Sequence, residues 1–245
     1  MEYRVGVSRK WLQRADEILK PDGSRPWQPS VVSMISEAVQ DIEDPVIVDV
    51  GCGPHSWMLA RAGIERGTKI GFDLDPDISQ NHDLHYVAFA PAERMPLKSN
   101  SADLIISSYV IEHLEDPEEA FREFARVLKP RGKLIVWAPN RWNYAIFASS
   151  LTPTWFHNWV RRISLCDITK DNCPTYYRAN TAASMRRCIR QAGLNTTEVY
   201  FGANAYRYLG FSKILLSLAA LGSRVITATP LRCLKSILIV SATKP

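Results

Sequence analysis

The sequence predicts an α/β protein built on a doubly wound, parallel sheet. Three observations predict it. The run Val46-Ile-Val-Asp-Val-Gly-Cys-Gly-Pro-His-Ser56 reads as strand, glycine turn and helix start in immediate succession. A second strand-like run, Thr68–Leu74, ends in an acidic residue, Asp73. It follows the glycines by roughly 20 residues, the spacing at which a carboxylate reaches ribose hydroxyls. Strand and helix patterns then alternate from Val46 to Ala138, as parallel crossover units require.

Taken in order, Ser8–Leu19 reads as a helix with Trp11, Leu12, Ala15, Ile18 and Leu19 on one face, broken by Pro21-Asp22-Gly23. A second helix spans Pro29–Gln40, with proline in its first turn. After the Val46–Val50 strand an amphipathic helix covers Trp57–Arg66. Pro76 starts a short helix after Asp75, and His85–Phe89 is strand three. Ser101–Ser108 is strand four and Gly132–Pro139 strand five. A helix over Thr181–Ala192 stops at Gly193, a good residue to follow a helix end. Asn195–Phe201 is strand six and Ser236–Ala242 the last strand.

The ligand is narrowed by what the glycine turn lacks. Gly51 and Gly53 let a ligand lie against the backbone where a Cβ would collide, and the helix behind them offers unpaired N–H groups. A dinucleotide fingerprint wants a third glycine, and that position is Ser56. A phosphate-cradling P-loop wants a lysine at the helix start, and none is present.

The motif D-x-G-C-G-P resembles motif I of the class I S-adenosylmethionine (SAM) dependent methyltransferases, of the type 11 kind. The resemblance continues through Ala92-Glu93-Arg94-Met95-Pro96-Leu97, similar to D-A-E-x-L-P, and Ser101–Ser108, similar to S-F-D-x-V. Tyr109–Pro117 resembles V-L-E-H-L-x-D-P, Phe121–Pro130 resembles R-E-x-x-R-V-L-K-P, and Gly132–Pro139 resembles the strand that ends in T-P-N. The similarity runs over Val46–Asn140 and resumes weakly afterwards.

The resemblance implies a Rossmann-like sheet of seven strands with the last antiparallel, N-terminal helices that cap the site, and a lid inserted after strand five. It implies SAM as cofactor, held by Asp49, Gly51, Cys52, Gly53, Asp73, Leu74, Ala92, Glu93 and Ser108. The acidic residue that opens D-A-E-x-L-P is Pro91 here. Adenine would then be held by Glu93, by backbone near Ala92, or by apolar walls such as Leu74 and Met95. In some relatives Glu-x-x-Glu-His holds a divalent metal. Tyr109 takes the first position here, leaving Glu112-His113, so no metal is expected.

Methyl transfer from a sulfonium is a direct displacement, so the protein's main task is alignment. A hydroxyl acceptor benefits from a base, and His113, just after strand four, is the best candidate. The alternative is that it packs the following helix. His157 and Tyr177 are weaker candidates. Asn140–Ala179 is long for a connection. Its aromatic and basic residues suggest an acceptor lid, with Trp142, His157, Tyr176, Tyr177 and Arg178 facing substrate, or a lid whose aromatics fill its own underside.

At 245 residues and 46% hydrophobic, the chain can bury one full core with a small lid. The expected organisation is one domain over 1–245: a helical cap (1–40), a SAM-binding core (45–140), a lid (141–180) and a C-terminal part (181–245). Charge divides it differently. Residues 1–139 hold 16 Lys+Arg against 22 Asp+Glu, and residues 140–245 hold 14 against 3. The second half therefore produces the pI near 9.0. It could attract an anionic substrate, an acidic membrane face or nucleic acid, or be a solvated surface. The apolar run Ile214–Leu221 is too short to span a bilayer, and is read as a packed amphipathic helix or an interfacial one.

No secretory h-region opens the chain, and the five cysteines include no C-x-x-C, so a cytoplasmic, reducing setting is expected, with peripheral membrane contact as a variant. His82 and His85 read as loop packing. The function expected is methylation, on oxygen, of a small or lipid-linked acceptor carrying an anionic group. A tRNA or rRNA methyltransferase and a non-catalytic SAM-binding partner subunit are the alternatives. No recognised RNA-binding module is present, so nucleic acid is not the expected partner. Oligomeric state leaves no mark in the sequence.

Overall fold

Runs of β-branched residues become the strands, and their order across the sheet makes the site. The computed structural model describes residues 28–143, 174–202 and 233–245, with helical positions at 214, 217, 218, 221 and 222. The expected helix over Ser8–Leu19, most of the insertion after strand five, and nearly all of Ala205–Leu231 lie outside the described residues. By internal contacts the chain parts into two units. One comprises Met1–Pro29, Asn140–Cys173 and Phe201–Ile237. The other comprises Ser30–Pro139, Pro174–Tyr200 and Leu238–Pro245.

Helix α1 spans Gln28–Val39. Val31, Ile35, Ala38 and Val39 recur at helical spacing and are buried. Its last turn has no basic residue of its own, and Arg66 supplies one from a distance. Nη2 of Arg66 donates to the carbonyls of Val39 and Gln40, each at 2.7 Å.

Strands β1 (Val46–Val50), β2 (Thr68–Asp73), β3 (Tyr86–Phe89), β4 (Ala102–Ser108) and β5 (Leu128–Pro139) run parallel to their neighbours. Val48 of β1 stands beside Ile70 of β2 and Ile105 of β4. Leu104, Ile105 and Ile106 are fully buried, which is why β4 reads as an unbroken apolar run. With β6 (Asn195–Gly202) and β7 (Ile237–Thr243) the sheet has seven strands in the order β3-β2-β1-β4-β5-β7-β6. The Arg131 amide donates to Lys244 at 2.9 Å, and the Asn140 amide donates to Ser236 at 2.9 Å. The start of β5 thus meets the end of β7 and the reverse, so β7 is antiparallel, as expected.

Several boundaries differ from the sequence reading. Helix α2 is Trp57–Ala62, not Trp57–Arg66, because Gly63 adopts φ 61° and ends it. Strand β5 begins at Leu128 rather than Gly132. Leu128 pairs with Ala102 and Lys133 with Leu104, so an irregularity around Pro130-Arg131, with Arg131 at φ 67°, splits what reads as a turn. The residues after Asp75 form a 3-10 turn, Pro76–Gln80. Strand β6 runs one residue further than expected, and β7 is displaced by one from Ser236–Ala242.

Two helices cover the sheet unit. α3 spans Pro117–Val127, with Asp116 accepting the Glu119 amide at 3.1 Å and Pro117 in its first turn. Its far end is closed by Nζ of Lys244, which donates to the carbonyls of Ala125 at 2.6 Å and Leu128 at 2.8 Å. α4 spans Ala182–Gln191, with Thr181 and Ser184 forming a capping box, and packs against α3. In the other unit, Nδ2 of Asn140 donates to Cys233 at 2.6 Å and Lys235 at 2.8 Å, and Nζ of Lys235 donates to Phe201 at 3.0 Å. Among the described residues no helix is long and apolar enough to cross a membrane.

The two glycines of the first turn answer different demands. Gly51 has φ 76°, and a Cβ there would strike the Val110 side chain. Gly53 has φ 52°, and a Cβ there would meet only Oδ2 of Asp73, at 3.9 Å. Gly51→Ala should therefore cost the left-handed penalty of about 1–2 kcal/mol plus an overpacking cost of about 1–3 kcal/mol. Gly53→Ala should cost the backbone term of about 1–2 kcal/mol alone. Denaturant midpoints check this, and Val110→Ala should recover part of the Gly51→Ala loss. Equal losses at both glycines, with no recovery, would refute the steric account.

Candidate functional site

The site is assembled where β1, β2, β3 and β4 end at the same edge of the sheet. The chain leaving β1 turns at Gly51, whose amide donates to the Phe72 carbonyl at 2.7 Å. The Gly53 amide donates to Oδ2 of Asp73 at 2.7 Å, and the Asp75 amide donates to Oδ1 at 2.8 Å. Each carboxylate oxygen has two lone pairs, so Asp73 keeps acceptor capacity on both. It is oriented by backbone donors on either side, as a ribose-binding carboxylate needs to be.

The turn has a second support that the sequence reading did not include. Nδ2 of Asn81 donates to the Gly53 carbonyl at 2.9 Å and to Oγ of Ser56 at 3.3 Å. Oδ1 of Asn81 accepts the Asp83 amide at 3.0 Å, and Oδ2 of Asp83 accepts the Ser56 amide at 3.0 Å. Asn81 and Ser56 are both buried. Ser56, which stands where a dinucleotide fingerprint has glycine, is thus a member of a polar network. Its amide is held by Asp83 and is not free for a ligand. No local pattern marks Asn81 and Asp83, because their partners lie more than 20 positions away.

Three carboxylates gather at this turn. Asp49 is 5% exposed. Burial first, then the charges of Asp73 and Asp83, push its carboxyl up to about 7 against the lowering effect of a Ser56 hydrogen bond. Burial and the charges of Asp49 and Asp73 push the Cys52 thiol well above the usual range, so Cys52 serves as a buried packing residue.

The other expected cofactor residues border the same edge. Leu74, after β2, is 57% exposed. Ala92 is buried and Glu93 half-buried in the loop after β3, whose Ala90 amide donates to the Asp73 carbonyl at 3.2 Å. Ser108 ends β4, and its buried Oγ has no hydrogen-bond partner among the described residues. A hydroxyl so placed can both donate and accept. The space beside Gly51 is taken by Val110 rather than left for a ligand, whereas the open Cβ position of Gly53, the oriented Asp73 and the unpartnered Ser108 hydroxyl suit a ligand with ribose hydroxyls.

Beyond β4 the chain makes a strained corner. Tyr109 has φ 58°, and its ring lies 6.4 Å from Trp137, which meets Trp57 edge-on at 5.4 Å. The 3-10 turn Ile111–His113 follows. The Glu112 carbonyl accepts the amides of Tyr176 at 2.7 Å and Tyr177 at 3.2 Å, and Nη1 of Arg178 donates to the Glu115 carbonyl at 2.5 Å. The Arg178 guanidinium lies 5.3 Å over the Tyr176 ring. Nδ1 of His113 lies 3.0 Å from the Pro174 carbonyl oxygen. A carbonyl only accepts, so in the neutral ring Nδ1 carries the proton and Nε2 keeps the lone pair. Burial and the Glu112 charge raise the Tyr177 phenol, which keeps it protonated and unavailable as a base.

The structure thus brings His113, Tyr176, Tyr177 and Arg178 together. Trp142 belongs to the other unit, where it is 64% exposed and its amide donates to Oδ1 of Asn140 at 3.2 Å. His157 lies outside the described residues. His85 has a packing role, its Nδ1 accepting the Lys69 amide at 3.0 Å.

Residues 48–136 match the family model described as a methyltransferase domain. The chain is 34% identical over 97 residues to the malonyl-[acyl-carrier protein] O-methyltransferase of Hahella chejuensis, covering 36% of this chain and 34% of that one. It is 26% identical over 117 residues to the demethylmenaquinone methyltransferase of Chlorobaculum parvum, covering 46% and 48%. These matches span a third to a half of each relative's length. A solved S-adenosylmethionine dependent methyltransferase from Mesorhizobium loti shares the fold, with a TM-score of 0.55 at 18% identity over 91% of this chain and 99% of that one.

Asp49 makes stability pH-dependent in a defined direction. Its carboxyl stands near 7 in the folded chain against an ordinary 3.8. The folded state therefore holds the proton more tightly, and this contribution is lost as pH rises through 7. Between pH 5 and pH 8 the loss should be of the order of 2–3 kcal/mol. Asp49→Asn should flatten the melting temperature over this range. A wild-type melting temperature that rises from pH 5 to pH 8, with the variant following it, would refute the assignment.

Proposed function

We propose that this chain, whose residues 48–136 match a methyltransferase-domain model, is a class I SAM-dependent methyltransferase that transfers the SAM methyl group to an oxygen of a small or lipid-linked acceptor carrying an anionic group. The observation that carries the reading is the 3.0 Å approach of His113 Nδ1 to the Pro174 carbonyl oxygen. That nitrogen is committed to the Pro174 carbonyl, which leaves the Nε2 lone pair for an acceptor hydroxyl proton. Bound SAM supplies a methyl group on a positively charged sulfur and leaves as a neutral thioether.

The chain's own residues do the rest. Asp73 and Ser108 accept and donate to the cofactor's hydroxyls and polar atoms, and the open Cβ position of Gly53 admits its methionine part. Cys52 and Asp49 line the turn from within. Leu74, Ala92 and Glu93 border the base. Tyr176 and Tyr177, held on the Glu112 carbonyl, wall the acceptor, and exposed Arg178 offers its remaining N–H donors to the acceptor's anionic group. Trp142 and His157 belong to the proposed lid within 141–180. The acceptor class draws on relatives named for O-methylation of a carrier-bound malonyl group and for demethylmenaquinone.

Radiolabel from methyl-labelled SAM should enter a small or lipid-extractable product. Label in RNA instead, at a rate falling steeply with salt, would favour the nucleic-acid reading. His113→Ala should lower turnover about 100-fold or more while SAM affinity stays within twofold of wild type. Full turnover in that variant would remove the base role.

A further inference from the structure

Helix α3 reaches the loop that follows β3 through one ion pair. Arg126 and Glu123 stand one turn apart. Nε of Arg126 lies 2.7 Å from Oε2 of Glu123, and Nη2 lies 2.7 Å from Oε1, a two-point fork. The remaining guanidinium donors all go to the stretch 95–99. Nη2 donates to the Met95 carbonyl at 3.2 Å, and Nη1 donates to the Leu97 carbonyl at 2.8 Å and Oγ of Ser99 at 3.3 Å. Oε1 of Glu123 in turn accepts the Met95 amide at 2.7 Å. Both polar groups of the Met95 peptide are therefore held by the pair, and the Met95 side chain is 3% exposed. All five guanidinium N–H groups have a partner, a pattern that a lysine cannot reproduce. The Glu123 carboxylate is 10% exposed, so the pair is partly sheltered from water. Burial alone would raise its carboxyl, but the Arg126 hydrogen bonds, the Met95 amide and the Arg94 charge hold it below the usual range.

The loop held in this way begins with Pro91, where a carboxylate side chain would otherwise be available to read a purine amino group. Of the groups that could hold the base here, backbone atoms at Ala92 and Glu93 stand immediately before the pinned segment, and the Met95 side chain is buried within it. A backbone reader has no rotamer with which to adjust, so its accuracy is that of the loop itself. We infer that Glu123 and Arg126 are positioning residues that set base selectivity at the cofactor site by fixing the Ala92–Leu97 backbone from helix α3. The inference rests on the reading of this edge as the SAM site.

Calorimetric titration of S-adenosylhomocysteine and S-inosylhomocysteine, which carries hypoxanthine for adenine, tests it. Wild type should prefer the adenine ligand by about tenfold or more. Arg126→Lys and Glu123→Gln should weaken the adenine ligand by about tenfold and the hypoxanthine ligand by less than about twofold, so that the preference collapses. Lys129→Met, which removes the 2.7 Å bridge to Asp103 on the same side of the sheet's start, is the control and should leave the preference intact. An unchanged preference in both loop variants would overturn the inference alone, as would an equal collapse in the control. If neither loop variant folds, rapid hydrogen exchange at the wild-type Met95 amide would overturn it, and strong protection would support it. Wild type that binds neither ligand would overturn the cofactor reading, and the inference with it.

Discussion

The hydrogen bond from the Gly53 amide to Oδ2 of Asp73 joins the turn after β1 to the end of β2, and the shape of this sheet edge depends on it. It is possible only because Gly51 and Gly53 both take positive φ, and because β1 and β2 are parallel neighbours in a register that sets Val50 beside Phe72. The same carboxylate holds the Asp75 amide, and the Asp73 carbonyl holds Ala90. One residue thus ties the first three strand ends together while its side chain stays open to a ligand. The cost is electrostatic. Asp49 and Asp83 crowd the same turn, and the buried Asp49 answers by retaining its proton to about pH 7. Positive charge placed at this edge would relieve that crowding.

A second level of support comes from residues that bind backbone rather than one another. Asn81 and Asp83 hold the glycine turn, Arg126 and Glu123 hold the loop after β3, and the Glu112 and Glu115 carbonyls hold the segment Tyr176–Arg178. Lys244 closes the end of α3, and Arg66 closes the end of α1. Loops at the end of a parallel sheet have no ladder of their own to satisfy their polar groups. Side chains from neighbouring elements do it instead, and in doing so they fix the loops' shapes. The segments after β4 and before α4 follow the same logic: strained corners at Tyr109 and Tyr177 persist because Trp137 and the Glu112 carbonyl hold them.

What the sequence determined by itself is the part of the protein governed by local pattern. The apolar runs at Val46–Val50 and Ala102–Ser108, the proline and aspartate at the start of α3, and the glycines at 51, 53 and 193 each dictate a strand, a cap or a turn within a few residues. Ordered motifs at matching spacing carried this to the sheet topology. The sequence pattern extends helix α2 four residues too far because periodicity continues past Gly63, whose φ of 61° ends the helix regardless. Strand β5 was started late because Pro130-Arg131-Gly132 has the composition of a turn, and only pairing with β4 brings Leu128 into the ladder.

What only the tertiary structure decided is the set of contacts between residues far apart in the chain. The Asn81–Asp83 support, the Glu123–Arg126 hold on Met95, the Pro174 carbonyl that selects the His113 tautomer and the rise in Asp49 all join positions 24 to 61 residues apart. Each is polar, so none leaves a hydrophobic period to read. The identity of Gly51 shows the division in one residue. Its position was legible from the turn, but the reason a side chain is refused there is Val110, which the parallel crossover from β1 to β4 brings alongside. Local propensity operates over a turn of helix or a pair of strand residues, whereas a carbonyl's partner is chosen by whichever element the fold carries past it.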